Sequence, residues 1–210
     1  MIARRLVLWG FLLFAVSCAR HPENDLQAGD LLFVENPDHP DETSMDGAIE
    51  AATGSFIHVA IVDIDMDGQV WVIDATRRRG VDRHPLDTLL SDFATEDGRK
   101  PVLTVKRLKD TTGVHGFVQR ALSFIGQPYD EAFLPDNGAM YCSELVRESY
   151  RMEDGTYLFE DQPMNFRNAQ GAFPPFWQDH FACLGLPIPQ DTPGTNPTDL
   201  AASPLLTIRE

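Results

Sequence analysis

The stretch Tyr141-Cys142-Ser143-Glu144-Leu145-Val146 begins a predicted amphipathic helix, directly after a loop that contains Gly138. Apolar or small residues recur at helical spacing from Cys142 through Ser149, which places the thiol on the core side of the helix. The free N–H groups and the positive end of the helix dipole at a helix start favour the thiolate, the nucleophilic form of cysteine. The pattern is therefore typical of a catalytic cysteine.

A single histidine interrupts the apolar run Phe56-Ile57-His58-Val59-Ala60-Ile61-Val62. Alternation along a strand predicts that the even-numbered residues of this run share one face and that Ile57, Val59 and Ile61 share the other. Because both faces are largely apolar, we expect the strand to be internal to a sheet. The imidazole of His58 is then a candidate for the base that a cysteine nucleophile requires, and the competing interpretation is a hydrogen-bonded core histidine.

An acidic residue lies in the next predicted strand, Val70-Trp71-Val72-Ile73-Asp74-Ala75. A buried carboxylate without a partner is costly, so Asp74 should pair with His58 on the neighbouring strand. Arg77 and Arg79 are the alternative partners. If Asp74 holds Nδ1–H of His58, then Nε2 of the ring faces the sulfur of Cys142.

Two structural alternatives compete with this interpretation. A metal site formed by His58, Asp74 and His84 is conceivable, but the sequence has no HExxH-type or paired-cysteine spacing. We therefore predict no metal and no other cofactor. The second alternative is a disulfide between Cys142 and Cys183, which an oxidising compartment would permit.

The N-terminal residues have the pattern of a bacterial export signal. Arg4 and Arg5 precede an apolar stretch at residues 6–16, which is too short to span a bilayer and ends in Ala15-Val16-Ser17-Cys18. This ending is similar to the lipobox of lipoproteins, so we predict a signal peptide at 1–17 and a lipidated Cys18 with a linker to residue 27. The alternative is a secretory signal without lipidation. Either places the protein in the bacterial cell envelope, and lipidation would anchor it to a membrane.

The remaining sequence predicts one α+β domain at 28–190 and an extended tail at 191–210. Within the domain, residues 45–53 have helical spacing and end at Gly54. A hydrophobic content of 43% argues for a globular rather than a disordered chain. The formal net charge of -15 repels phosphate backbones and so argues against a nucleic-acid partner.

Four segments resemble one family of enzymes: Gly29-Asp30-Leu31-Leu32-Phe33, residues 48–62 with His58, Gly126-Gln127-Pro128-Tyr129-Asp130, and the Cys142 stretch. They are similar to the YiiX/YaeF-type permuted papain-like hydrolases, a branch of the NlpC-type cysteine peptidase superfamily. The histidine strand precedes the cysteine helix, which is the reverse of the papain order and suits a circular permutation. The resemblance runs from about Gly29 into the Pro-rich tail.

This resemblance implies a circularly permuted papain-like fold, in which a small antiparallel, barrel-like sheet carries the histidine and packs on the cysteine helix. It assigns Cys142 as nucleophile and His58 as base. The third member in this group is usually Glu, and that position here is Asp74, whose shorter side chain reaches less far. Tyr129 and Tyr141 are candidates for lining the site or assisting the oxyanion, and packing in the aromatic core is the alternative for both.

The resemblance also implies a reaction. The leading hypothesis is a thiol amidase or peptidase that forms an acyl-enzyme on Cys142 and cleaves a cell-wall peptide or a related amide. A lipid amidase or acyltransferase with the same site is the first alternative, for which Phe159, Phe166, Phe173, Phe176 and Trp177 would line an acyl pocket unless they cover the core. The second alternative is a catalytically idle lipoprotein that binds an envelope peptide.

Overall fold

A computed structural model of the protein describes residues 25–36, 41–95 and 97–209. The predicted signal peptide at 1–17 and the predicted lipidation site Cys18 lie outside the described residues. Among the helices described, none combines the length and the hydropathy that crossing a bilayer requires.

The described residues form an α+β fold built on a six-stranded antiparallel sheet in the order β4-β3-β2-β1-β5-β8. Its strands are β1 (Leu31–Glu35), β2 (Phe56–Ile64), β3 (Val70–Thr76), β4 (Gly80–Pro85), β5 (Leu103–Leu108) and β8 (Leu206–Arg209). A second, two-stranded sheet pairs β6 (Gln162–Pro163) with β7 (Pro193–Gly194). The predicted class and the antiparallel sheet are confirmed.

Six helices accompany the sheet in the described part of the chain: α1 (Met45–Thr53), α2 (Leu86–Asp92), α3 (Val114–Ser123), α4 (Cys142–Ser149), α5 (Pro175–Leu184) and α6 (Pro197–Ala202). Local signals set the ends of α1 where the sequence predicts them. The Ser44 side chain accepts a hydrogen bond from the backbone N–H of Gly47 at the start. Gly54 ends the helix with a φ of 106°, a conformation that favours glycine.

Strand β2 is internal, as its two apolar faces predict, and it contains a bulge beside His58. Val34 of β1 pairs with His58, whereas Glu35 pairs with Phe56, so Ile57 is an extra residue in β2. A bulge of this kind changes the direction in which neighbouring side chains point. The predicted alternation is therefore wrong at Ile57, whose side chain packs on the opposite face of the sheet from Val59 and Ile61.

Apolar clusters cover both faces of the main sheet. Helices α3 and α4 pack on one face, and the cluster there includes Leu31, Phe33, Val59, Ile61, Ile73, Val118, Leu145 and Val146. Helix α2 covers the other face, where the cluster includes Leu32, Val34, Ala60, Val62, Val72 and Leu89. This arrangement fixes β2 and β3 against the cysteine helix.

A third cluster, the aromatic cluster, joins α1 and α5 beside the start of α4. Its buried members are Ala48, Phe133, Tyr141, Met164, Phe166, Trp177 and Phe181. Of the five aromatic residues considered for an acyl pocket, Phe166 and Trp177 belong to this cluster, Phe173 and Phe176 pack partly buried against it, and Phe159 lies in the core under α4. Most of these rings therefore belong to the hydrophobic core or pack against it.

The last twenty residues differ from the predicted extended tail. They contain α6, and they end in β8, which pairs with β5 as an edge strand of the main sheet. Leu206 is buried in the cluster beneath α4, and Leu200 and Ala201 of α6 join it there. The prediction was wrong because Pro-rich composition is typical of loops, while the pairing partner of β8 lies about a hundred residues earlier in the chain.

Candidate active site

Cys142 is the first residue of α4, and its side chain is buried in the cluster between α4 and the sheet. Because it begins the helix, its backbone N–H has no acceptor within the helix and points away from it. The two described cysteines are both free thiols: Cys142 is buried and Cys183, on α5, is exposed. The structure therefore does not contain the Cys142–Cys183 disulfide considered as an alternative.

His58 lies between Cys142 and Asp74. Its Nε2 is 2.8 Å from Oδ2 of Asp74, and Cys142 lies near enough to the ring to raise its pKa. Since Nε2 faces the carboxylate, Nδ1 is the nitrogen that remains available to the sulfur. The sequence-based expectation had these two nitrogens the other way round, because a strand pattern sets the face of a side chain but not the rotation of its ring. Phe93 packs on the imidazole with ring centroids 4.6 Å apart.

Asp74 is fully buried, and each of its carboxylate oxygens meets a different imidazole. Oδ2 pairs with His58, and Oδ1 lies 3.0 Å from Nε2 of His84 on β4. Burial alone would raise the pKa of Asp74, but the hydrogen bonds and positive charges of the two histidines hold it well below its ordinary value. Of the alternative partners considered, Arg77 pairs instead with Glu131 at 2.8 Å.

The ionic state of His58 follows from these neighbours. Burial alone would lower the pKa of His58, because a low-dielectric environment disfavours the imidazolium. The negative charge of Cys142 and the hydrogen bond and charge of Asp74 outweigh this effect and raise the pKa to about 10. With its pKa raised to about 10, His58 carries a proton at neutral pH, beside the carboxylate of Asp74.

The two tyrosines proposed for the site have different surroundings. The hydroxyl of Tyr141 accepts a hydrogen bond from the backbone N–H of Thr195 at 3.1 Å and donates to Sδ of Met164 at 3.7 Å, so it is engaged within the protein. Tyr129 lines the same cavity as Cys142. Burial and, next, the charge of Cys142 raise the pKa of Tyr129 well above its ordinary value, so its hydroxyl keeps its proton and can donate.

Two cavities meet at the start of α4. The first is narrow, about 40 Å³, and is lined by Cys142 together with aliphatic and aromatic side chains of α1 and the aromatic cluster. The second is about 380 Å³ and polar, and Glu144 and Arg147 lie along it. Tyr141 lines both. The thiol therefore lies at a small apolar recess, and Tyr141 stands between this recess and a larger polar groove.

From the sequence, two residues of this site were not assigned to it in their observed roles. His84 was considered only as a metal ligand, and Phe93 was not considered. The signal for His84 was present in the β3–β4 hairpin: Asp74 pairs with Asp82 and Val72 with His84, so His84 lies diagonally across from Asp74 on the same face. Phe93 follows α2, and no local pattern predicts its contact with β2.

The chain is similar to known proteins over almost the whole described length. The profile of a family described as permuted papain-like amidase enzymes, YaeF/YiiX, C92 family, matches residues 25–208. A solved structure, the crystal structure of metalloprotein yiiX from Escherichia coli O157:H7, has a TM-score of 0.67 and 24% identity, and the match covers 88% of this chain and 96% of that chain. At this identity the likeness shows a shared fold. No curated protein is significantly similar to the chain.

The yiiX protein is called a metalloprotein, whereas the polar side chains of the site here engage one another. His58 and His84 direct their Nε2 atoms at different oxygens of Asp74, at hydrogen-bond distances of 2.8 and 3.0 Å. Their lone pairs therefore do not converge on a common point. Nowhere in residues 25–36, 41–95 and 97–209 do three His, Cys, Asp or Glu side chains form a group suited to a metal ion. The described donor set does not fit a metal site.

Proposed function

The chain belongs to the permuted papain-like amidase enzymes of the YaeF/YiiX type, the C92 family, and on this premise we propose that it cleaves an amide bond through a thioester on Cys142. The observation that supports the proposal is the buried group Cys142, His58 and Asp74, in which Nε2 of the imidazole meets the carboxylate and Cys142 lies near the same ring. A nucleophile, a base and a group that orients the base are the three parts that this chemistry requires.

The first half of the reaction forms the acyl-enzyme. The thiolate of Cys142 attacks the amide carbon and forms a C–S bond, while the carbonyl electron pair moves to oxygen. The backbone N–H of Cys142 and the Tyr129 hydroxyl are the donors we assign to this oxyanion. As the oxyanion collapses, the C–N bond breaks and the leaving amine takes the proton from Nδ1 of His58.

The second half restores the enzyme. Neutral His58 takes a proton from water as the water oxygen attacks the thioester carbon, and the C–S bond breaks to release a carboxylic acid. The departing sulfur is again a thiolate beside an imidazolium. Asp74 stays ionised throughout, since its pKa is held well below the ordinary value, and it keeps the proton of Nε2 in place.

The cavities support a peptide-like substrate. A recess of about 40 Å³ beside the thiol is far below the roughly 300–1,000 Å³ of cavities that hold drug-sized ligands, so it accepts only a small apolar group. The adjoining polar groove of about 380 Å³ is suited to the polar remainder of a peptide. The apolar lining of the recess is the observation that favours the second candidate, a long-chain acyl amide, whose chain would require the aromatic cluster to open.

Trapping the acyl-enzyme tests this proposal. Peptide esters and amides with a small acyl-side residue, and N-acyl amides with long chains, are mixed with the protein, quenched in acid and analysed by peptide mass spectrometry. We expect an acyl adduct on Cys142 from the peptide substrates, none in Cys142→Ala, and unchanged labelling in Cys183→Ala. Adducts from long-chain amides alone would favour the second candidate. No adduct on Cys142 from any substrate, with all variants folded, would favour an idle binding protein.

The Cys142→Ala protein must remain folded for this comparison. Because the change removes one sulfur atom, we expect it to lower the free energy of unfolding by less than about 2 kcal/mol, which thermal melts would measure.

We also propose that the enzyme is exported and lipid-anchored in the bacterial envelope, on the pattern of the segment that ends in Ser17-Cys18. Export would bring it to cell-wall peptides. Fractionation of cells that produce the wild type and Cys18→Ala tests this: we expect the wild type in membranes with a lipid mass on the mature N-terminus and the variant released. Equal distribution of the two proteins would contradict the anchor.

A further inference from the structure

His84 completes the surroundings of the buried carboxylate. Asp74 is fully buried, and its two oxygens have separate imidazole partners, His58 at 2.8 Å and His84 at 3.0 Å. The two histidines come from strands on either side of β3, so the carboxylate is held from both directions. A carboxylate with only one of these donors would be free to rotate about its Cβ–Cγ bond and to share both oxygens with that donor.

The other contacts of His84 indicate its protonation. Nδ1 lies 3.2 Å from the carbonyl oxygen of Pro85, which can only accept a hydrogen bond. Nε2 faces the carboxylate of Asp74, which likewise only accepts when ionised. Each ring nitrogen therefore has an acceptor within reach, which is the arrangement of the imidazolium form; the guanidinium of Arg79 near Nε2 can only donate and would require that nitrogen to be unprotonated. Burial alone would lower the pKa of His84, but the hydrogen bond and charge of Asp74 outweigh it and raise the pKa.

The charged groups around His84 come from β3, the β3–β4 turn, β4 and α2. A guanidinium nitrogen of Arg79, in the β3–β4 turn, lies 3.3 Å from Nε2 of His84 and opposes its positive charge. Arg79 is itself neutralised by Asp92 of α2 and by Asp82 of β4, which lies 3.6 Å away. Asp74 is thus the acidic side chain that His84 contacts directly, and Arg79 pairs with Asp92 and Asp82.

We propose that His84 is a positioning residue: it fixes the carboxylate of Asp74 so that Oδ2 points at Nε2 of His58 and Nδ1 of His58 points at Cys142. This inference rests on the proposed function of Cys142 and extends the site by a fourth side chain. It also gives a physical reason why a short aspartate serves here. The second donor, His84, fixes the position of the Asp74 carboxylate. A glutamate would instead approach its partner through the greater length of its own side chain.

A matched pair of variants tests the role. The amide nitrogen of His84→Gln can take the place of Nε2 and donate to Asp74, whereas that of His84→Asn is one methylene short. Both replacements are neutral and polar. We expect His84→Asn to slow the alkylation of Cys142 by iodoacetamide at pH 6 by about tenfold, the loss of one charge-assisted hydrogen bond, and His84→Gln to stay within about threefold of the wild type. The alkylation rate of the exposed Cys183 should be unchanged in both variants.

The opposite results are equally specific. If His84 acted only through its positive charge, both variants would make His58 more basic and would alkylate faster than the wild type at pH 6. If it were merely structural, thermal stability would fall while the alkylation rate did not change. Either result would overturn the inference.

A measurement on the wild type keeps the test independent of the variants and of the reaction. Nitrogen-15 NMR of the histidine side chains at pH 7 should show protons on both nitrogens of His84 and on Nε2 of His58. An unprotonated Nε2 of His84 would refute the positioning role even if Cys142 is reactive. If this NMR pattern is present but wild-type Cys142 is no more reactive than Cys183, the proposed function fails and the His84–Asp74 contact stands.

Discussion

Glu144 is a residue whose surroundings oppose its charge. It lies in the first turn of α4, where a helix dipole favours an anion, and its Oε2 is 3.4 Å from the backbone N–H of Tyr141. Burial is the larger influence, and together with the charge of Asp130 it raises the pKa of Glu144 from 4.5 to about 8. The folded protein therefore holds this carboxyl protonated over a range where an unfolded chain would release the proton.

This shift predicts that Glu144→Gln increases the free energy of unfolding by an amount that depends on pH. As pH rises from 4.5 to 8, the unfolded state loses the proton and the folded state keeps it, so the wild-type free energy of unfolding falls through this window. A glutamine side chain has nearly the same shape as glutamate but cannot ionise. We expect the variant to be more stable than the wild type at pH 8, by on the order of 1 kcal/mol, and equal to it at pH 4, in thermal melts. The exposed Glu153→Gln is the control, and a similar gain at both pH values would contradict the shift.

Sequence patterns predicted that His58 and Asp74 would pair, as the structure shows, but not the atoms through which they pair. The strands that contain His58 and Asp74 were predictable, because each is an apolar run interrupted by one polar residue. Two such buried polar residues on neighbouring strands are expected to pair. The rotation of the His58 ring, which sends Nε2 to Asp74, depends on packing against Phe93 and on the partner at Cys142. The role of His84 required the register of the β3–β4 hairpin, which the sequence analysis did not use.

At the scale of elements, the start of α4 is held in place by the short strand β7. Thr195, the residue after β7, donates its backbone N–H to the Tyr141 hydroxyl, and Gly194 packs directly against this contact. A Cβ atom on Gly194 would lie 2.3 Å from Sδ of Met164 and 2.8 Å from the Tyr141 oxygen. Glycine is therefore required here by close approach.

The prediction for this element is that Gly194→Ala destabilises the protein by about 1–3 kcal/mol, because the added methyl group overpacks the contact between β7 and Tyr141. Gly116 of α3 is the matched control, since a Cβ there meets nothing within 4 Å. Gly116→Ala should stabilise by about 0.5–1 kcal/mol through helix propensity. Urea denaturation of both variants measures the difference, and a wild-type midpoint for Gly194→Ala would show that β7 is not packed as described.

Elements with local signals were predictable, and those with distant partners were not. The bounds of α1 follow from Ser44 and Gly54, which cap the helix within the same short segment. The bulge at Ile57 depends on pairing with β1, more than twenty residues away, and alternation alone does not reveal it. The cysteine helix was recognisable because its apolar spacing and its loop are adjacent in sequence.

At the scale of the whole molecule, the C-terminal residues complete the main sheet. Strand β8 pairs with β5 along four residue pairs, and Leu206 enters the core beneath α4. The fold thus connects its last strand to the same apolar cluster that holds Cys142. The family match through residue 208 includes this strand.

Alternate residues of β8 provide a test of this placement. Leu206 is 6% exposed and Ile208 is 58% exposed, so Leu206 is buried in the core while Ile208 is largely in solvent. We expect Leu206→Ala to lower the free energy of unfolding by about 2 kcal/mol or more, through lost burial and the cavity left behind. Ile208→Ala should change it by less than about 0.5 kcal/mol. Equal effects in chemical denaturation would mean that the end of the chain does not contribute to the core.

The central claim is that Cys142 is activated by His58, and the protein contains its own reference thiol. Iodoacetamide is added at pH 6, and the alkylation rates of Cys142 and Cys183 are followed in the same sample by peptide mass spectrometry. Although Cys142 is buried and Cys183 is exposed, we predict that Cys142 reacts at least about tenfold faster, and that His58→Ala removes this advantage. A Cys142 rate no greater than that of Cys183, or a rate that His58→Ala leaves unchanged, would contradict the account.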